Sequence, residues 1–184
     1  MAPLSRQEMD LVTASFHPRL YRKKQFVLQE GDVSSLITFV VKGCLRMYKV
    51  DDAGAMHIMQ FAIENWWISD LGSFYKQSPS VMNIEAIEES AVLQISHADL
   101  LNLYERAPKF NLIFRVLMEN NVVRLQERLL QNISTDARVR YELFLKQYPN
   151  IVSRVPNTNI ASFLGITPEF LSRIRNERVS RKQP

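Results

Sequence analysis

The sequence predicts an α+β fold: an N-terminal antiparallel β-roll, one long helix able to pair two copies, and a C-terminal helix-turn-helix unit. Three observations carry that expectation. From Tyr21 to Ser96, short runs rich in β-branched and aromatic residues are separated by turn signals such as Glu30-Gly31-Asp32, Lys42-Gly43 and Asp51-Asp52-Ala53-Gly54. From about Phe110 to Gln131 no glycine or proline interrupts a helical pattern. In PNTNIASFLGITPEFLSRIRNE, Pro156 to Glu177, a glycine stop and a Thr-Pro-Glu start separate two short helical patterns.

Taken in order, Leu4 to Phe16 has an imperfect helical spacing at 4, 9, 11, 12 and 16, and Pro18 is expected to close it. Strand-type runs follow in YRKKQFVLQEGD, SSLITFVVKGCLRMYKV, HIMQFAI and NWWIS, then at Asn83–Ile87 and Ala91–Ser96. Six or more short strands at such spacing suggest an antiparallel sandwich or roll. His97–Tyr104 reads as a helix capped by Ser96, and Pro108 breaks it.

The long helix has apolar residues over a wide arc, so it has two surfaces to bury against. One row, Phe114, Met118, Val122, Leu125 and Leu129, suits the roll. The other, Ile113, Val116, Asn120, Val123, Glu127 and Leu130, suits a self-pairing seam, with Asn120 able to fix register. Ser134, Thr135 and Asp136 cap a further helix to about Gln147, and a connecting segment leads to Val155-Pro156. The boundary between units is therefore expected near 133–135, giving a roll plus dimerisation helix over 1–133 and a helix-turn-helix unit over 134–184.

Within the helix pair, Ile160, Ala161 and Leu164 share one face, and Gly165 suits the left-handed residue that ends a helix. Thr167 is a good N-cap, Pro168 fits the first helical position, and Glu169 suits the positive end of the dipole. Leu171 and Ile174 face back, whereas Glu169, Ser172, Arg173 and Asn176 project away. Arg173 can contact guanine bidentately and Glu169 can accept from a cytosine amino group. Ser172 and Asn176 suit bases or phosphates, and Thr167 a phosphate. Residues 134–184 hold nine Lys/Arg against four Asp/Glu, while the preceding 133 hold fourteen against fifteen. The excess positive charge thus surrounds the helix pair, as expected where phosphates are neutralised. Arg178, Arg181 and Lys182 are expected to set the salt dependence.

Other classes are disfavoured. There is no Gly-rich phosphate loop, metal-ligand cluster or nucleophile elbow, so an enzyme is rejected. One cysteine, Cys44, excludes a disulfide framework and a four-cysteine metal or iron–sulfur site. His57, His97 and Cys44 are weak candidates for a haem ligand, and no cofactor is expected. No apolar run reaches the length of a membrane span and no signal-peptide core is evident, so a cytoplasmic protein fits.

The order of these elements resembles the cyclic-AMP receptor/FNR (Crp/Fnr) superfamily of bacterial transcription regulators. Ala161, Gly165 and Glu169-Phe170-Leu171-Ser172-Arg173-Ile174 fall on that family's helix-turn-helix motif, and Gly31-Asp32, Gly43 and Asp70-Leu71-Gly72-Ser73-Phe74 match its roll. The resemblance implies a cyclic-nucleotide-binding-like roll, a long dimerisation helix and a winged-helix-like C-terminal unit. It implies a homodimer on a two-fold-symmetric double-stranded DNA site, with Thr167, Pro168, Glu169, Ser172, Arg173, Asn176 and Arg178 at the DNA. Asp70, Leu71, Gly72, Ser73, Ser80 and Val81 are the matching effector-pocket candidates. An unidentified small-molecule effector and RNA polymerase are the further partners it admits. In cyclic-nucleotide binders of the family, a glutamate takes the ribose and an arginine the phosphate. Here those positions are Asp70 and about Ser80, and no Lys or Arg lies between Lys76 and Arg106. Cyclic AMP is therefore not the expected effector. Two alternatives remain: a regulator whose roll binds nothing, controlled by expression or a protein partner, and a protein-interaction module that has lost DNA binding.

Overall fold

Eight strands between residues 17 and 96 build the roll from two antiparallel sheets. A computed structural model describes residues 3–180, with side chains through 177. The strands are β1 (His17–Tyr21), β2 (Phe26–Leu28), β3 (Leu36–Lys42), β4 (Leu45–Val50), β5 (Met56–Ala62), β6 (Trp67–Ile68), β7 (Asn83–Ala86) and β8 (Ser90–Ser96). One sheet runs β1-β8-β3-β6 and the other β2-β7-β4-β5. Alternating inward residues meet between them: Val40 and Val92 from one sheet, Leu45, Ala62 and Ile84 from the other. The strand pattern read from the sequence is confirmed, with one difference at its start. Pro18 does not merely close a helix but lies inside β1, which is tolerated because β1 is an edge strand.

Helices flank the roll. Helix α1 (Arg6–Ser15) starts with a capping box, in which Glu8 N–H donates to Ser5 Oγ at 3.2 Å and Ser5 N–H donates to Glu8 Oε2 at 2.9 Å. Glu8 Oε1 also accepts from the Lys109 N–H at 3.1 Å, which ties this helix to the start of the long one. A six-residue helix, α2 (Leu71–Lys76), which the sequence did not announce, follows β6. Next come α3 (His97–Arg106), capped by Ser96 as expected, and α4 (Pro108–Ser134). Pro108 separates these two by opening α4 at its first turn, where its missing N–H costs nothing.

Phe110, Phe114 and Met118 of α4 pack on the roll with Ile37, Phe74 and Ile95. The expected roll-facing row stops there: Val122, Leu125 and Leu129 are exposed, because the roll surface ends and a cavity begins.

The C-terminal unit comprises α5 (Ala137–Gln147), α6 (Ile151–Arg154), α7 (Asn157–Leu164) and α8 (Pro168–Ser180). Among the described residues no strand follows residue 96, so the wing of a winged helix is not seen and the unit is wholly helical. Its core is not separate. Tyr141, Phe144, Tyr148, Ile160, Ala161 and Leu171 join Tyr48, Ile58, Phe61 and Ile63 of the roll in one cluster.

Gly43, in the β3–β4 turn, has φ +106°, and a Cβ there would lie 2.6 Å from the Ser90 Cα. Backbone cannot yield to that. Gly43→Ala is expected to destabilise the fold by about 2–3 kcal/mol, measured by denaturant titration.

Candidate nucleic-acid interface and effector cradle

The helix pair forms by local rules. Gly165 has φ +65°, its N–H donates to Ser162 O at 3.1 Å, and Ile166 N–H donates to Ala161 O at 3.0 Å. This double bond pattern satisfies the last carbonyls of α7 and turns the chain. Thr167 then caps α8, its Oγ1 accepting from Phe170 N–H at 3.2 Å. Leu171 and Ile174 are buried against α7, where Ala161 leaves no solvent gap, and Phe170 packs at the edge. Thr167, Pro168, Glu169, Ser172, Arg173 and Asn176 are all exposed, at the cap of α8 and along its first turns. Arg173 Cζ lies 6.0 Å from the Phe170 ring centre. Arg178 belongs to α8 but its side chain lies outside the described ones, and Arg181 and Lys182 lie outside the described residues.

Much of the basic excess around this helix is engaged within the protein. Arg154 binds Glu64 bidentately, both contacts at 2.9 Å, and Glu88 at 2.6 Å. Arg138 pairs with Glu177 at 2.6 Å. Arg140 donates to the carbonyls of Thr135 and Leu164, and Arg175 donates to Asn157. These contacts hold the unit to itself and to the roll. The Ser162 hydroxyl donates to Met56 O at 2.5 Å and accepts from Ile58 N–H at 3.0 Å, occupying polar groups of the edge strand β5.

The cradle is closed on itself. Asp70 caps α2, accepting from Ser73 N–H at 3.2 Å, and its other oxygen accepts from the Ser80 hydroxyl at 2.7 Å. Ser73 Oγ donates to Ser78 O at 2.5 Å and accepts from Ser34 N–H at 2.8 Å. Asp70 and Leu71 line cavities between the roll and α4, whereas Gly72 and Val81 are exposed and Ser73 and Ser80 are buried. The resemblance of the roll implies a cyclic nucleotide here, and residues 70–82 do not fit its phosphate. Within residues 70–82 the Asp70 carboxylate holds the α2 N-terminus and Lys76, the one cation of that stretch, is exposed, so the stretch offers a phosphate no buried charge-assisted partner.

Sequence reasoning missed two features. One is the Arg154–Glu64–Glu88 clamp. The other is a cavity of about 250 Å³ bounded by Trp66, Tyr148 and Phe163 together with Arg124 and Arg128 of α4. Its only signal was a pair of arginines at i and i+4 on a helix otherwise rich in apolar residues. Cys44 is fully buried, and burial pushes its thiol up to about 12, so it is inert at neutral pH. His57 contacts Asp51 at 2.6 Å in the β4–β5 turn, and His97 meets Phe74 edge-on. Among the described residues no three His, Cys, Asp or Glu groups could hold a metal ion, and no helix is long and apolar enough to cross a membrane.

Residues 18–107 match the cyclic nucleotide-binding domain family. The Anaerobic regulatory protein of Pasteurella multocida is 25% identical over 183 residues, covering 93% of this chain and 66% of its own length. The Cyclic AMP receptor protein of Thermus thermophilus is 22% identical over 175 residues, covering 93% of this chain and 81% of its own length. Among solved structures, FixK2 from Bradyrhizobium japonicum superposes with a TM-score of 0.78 at 17% identity, over 90% of this chain and 85% of that one. The regulator CLP of Xanthomonas campestris gives 0.73 at 16% identity, over 96% and 93%. Over nearly its whole length the chain is similar to these regulators, and its fold is theirs. The chain spans about two thirds of the Pasteurella relative and carries a roll, a long helix and a helix pair in order. Its named relatives are regulatory proteins, which agrees with the absence of catalytic motifs in the sequence.

The clamp sets a pH dependence. Hydrogen bonds from Arg154, with help from the Gly43 N–H, hold the Glu64 carboxyl down to about 2 against an ordinary 4.5. A depressed acid contributes its full stability above the ordinary value and loses it as pH falls towards 2. Wild type is therefore expected to unfold at higher denaturant than Arg154→Met near neutral pH. The two midpoints should converge between about pH 4.5 and pH 2.

Proposed function

We propose that the chain is a DNA-binding transcription regulator that acts as a homodimer on a two-fold-symmetric site. The single observation that carries this is the exposed polar face of α8, set on a helix whose other face is buried on α7. Arg173 then reaches a guanine edge through two parallel hydrogen bonds, and Glu169, one turn earlier, accepts from a cytosine amino group. Thr167 and Pro168 sit at the helix N-terminus, where backbone N–H groups favour a phosphate.

Pairing two such helices requires a second copy about 34 Å away along the duplex. The far half of α4 supports that pairing. Of the proposed seam, Ile113 and Val116 are half-buried, while Asn120, Val123, Glu127 and Leu130 are exposed. Val122, Leu125, Leu129 and Ile133 are exposed beside them, so the apolar surface is wider than one heptad row. A face of this size on one helix is what a partner helix covers.

Selection of bound sequences from a random duplex pool tests the reading. A two-fold-symmetric consensus is expected, and retention of no duplex above background would overturn it in favour of a protein-interaction module. Arg173→Ala is expected to cost about 1–3 kcal/mol and to relax preference at one base pair per half-site. Equal weakening on every sequence would reduce Arg173 to a phosphate contact. Val123→Glu with Leu130→Glu, both at exposed positions, is expected to give monomers by analytical ultracentrifugation and to weaken specific DNA binding by at least about tenfold.

A further inference from the structure

Arg128 carries a charge that no described group of opposite sign balances. Its guanidinium donates to the backbone carbonyls of Met59, Ile58 and Phe163, and it lies 4.0 Å over the Phe163 ring. Its Nε is buried without a partner, and among the described residues no carboxylate pairs with it. Burial alone works against its charged form. A half-buried cation satisfied only by neutral dipoles leaves room for an anion to improve on them.

Arg124 stands one helical turn earlier on the same side of α4, its guanidinium 4.9 Å over Trp66. Like charges at i and i+4 repel, which adds to the cost. Between these two arginines opens the cavity of about 250 Å³. Trp66 and Tyr148 stack at 5.0 Å on one wall, and Phe163 contributes another. Asp70 is the one carboxylate lining it, and it is engaged by Ser73 and Ser80.

We propose that this cavity binds a small aromatic carboxylate, with its ring against Trp66, Tyr148 and Phe163 and its anionic end on Arg128 and Arg124. The inference rests on the reading of the chain as a DNA-binding regulator and adds a ligand to it. The volume lies below the usual range for drug-sized ligands, so one or two fused rings fit. The anion is held from the long helix, because Lys76, the one cation of residues 70–82, is solvent-exposed and does not line the cavity. The walls come from the roll, from α4 and from the C-terminal unit. A bound ligand therefore contacts every part whose relative placement a regulator must change.

The test uses the full chain with two probes of matched shape, 1-naphthoate and the neutral 1-naphthalenemethanol, titrated calorimetrically. Saturable binding of one naphthoate per subunit is expected, at least about tenfold tighter than the alcohol. Arg128→Met and Arg124→Met are each expected to weaken naphthoate about tenfold and to leave the alcohol unchanged, with Arg128→Lys intermediate. Arg124 is exposed, so Arg124→Met keeps the test decisive even where Arg128→Met fails to fold. Equal affinity for both probes, unchanged affinity in Arg124→Met, or no naphthoate binding up to millimolar concentration would overturn the proposal. Gel shift on the selected DNA, with the same sample, separates the two readings. Loss of naphthoate binding with DNA binding intact defeats the ligand site alone. Naphthoate binding without DNA binding supports the ligand site and defeats the regulator.

Discussion

Phe61 is where the roll and the helical unit share one core. Its ring is fully buried, 5.3 Å from Phe163, 6.1 Å from Tyr148 and 6.2 Å from Phe144. Tyr48, Ile58 and Ile63 lie on the same outer face of the β4–β5 sheet and are buried by the same helices. Were the unit to leave, that face would meet water, and Phe61 alone would lose about 1.5–3 kcal/mol of burial. Such a sheet face cannot stand uncovered, so α5 and α7 are required elements of the roll's stability. The position of α8 then follows, because α8 is fixed to α7 by Leu171 and Ile174.

Polar contacts surround this apolar seam and give it a register. Ser162 engages two backbone groups of β5, and Arg154 closes on Glu64 and Glu88. The ion pairs are partly exposed, so their net worth is small, but a bidentate guanidinium fixes an angle as well as a distance. This reassigns much of the charge that looked available for phosphates. Arg140, Arg154 and Arg138 serve the protein's own carbonyls and carboxylates, so fewer cations are left for a partner than the composition suggested.

The helix pair was legible in the sequence because its determinants are local: Gly165 stops one helix, Thr167-Pro168-Glu169 starts the next, and each bond involved spans only a few residues. The strands were legible by alternation and turn residues, yet their pairing was not, since β1 meets β8 across most of the roll. Pro18 misled because proline excludes a central strand but not an edge. The row Val122, Leu125 and Leu129 misled because periodicity marks an apolar face without saying what covers it. The cavity was invisible for a related reason. Trp66, Tyr148 and Phe163 come from separate segments, and only the fold brings them to Arg124 and Arg128.

The reading face of α8 remains exposed while the clamp is closed and Phe61 is buried. Docking of the helical unit on the roll therefore does not hide Glu169, Ser172, Arg173 or Asn176, and control by covering them is excluded for this arrangement. What remains is control by spacing. In the proposed dimer, two α8 helices must meet successive major grooves, and their separation depends on how α4 leaves the roll. After Met118 that helix has lost its apolar anchor, and Arg128 ties it to the carbonyls of Ile58, Met59 and Phe163 instead. Those carbonyls belong to β5 and α7, so a single guanidinium joins α4 to both the roll and the helical unit. An anion that draws Arg128 from its carbonyls would change the angle of α4 and the placement of α7 in one step, which is the coupling a regulator of this architecture needs.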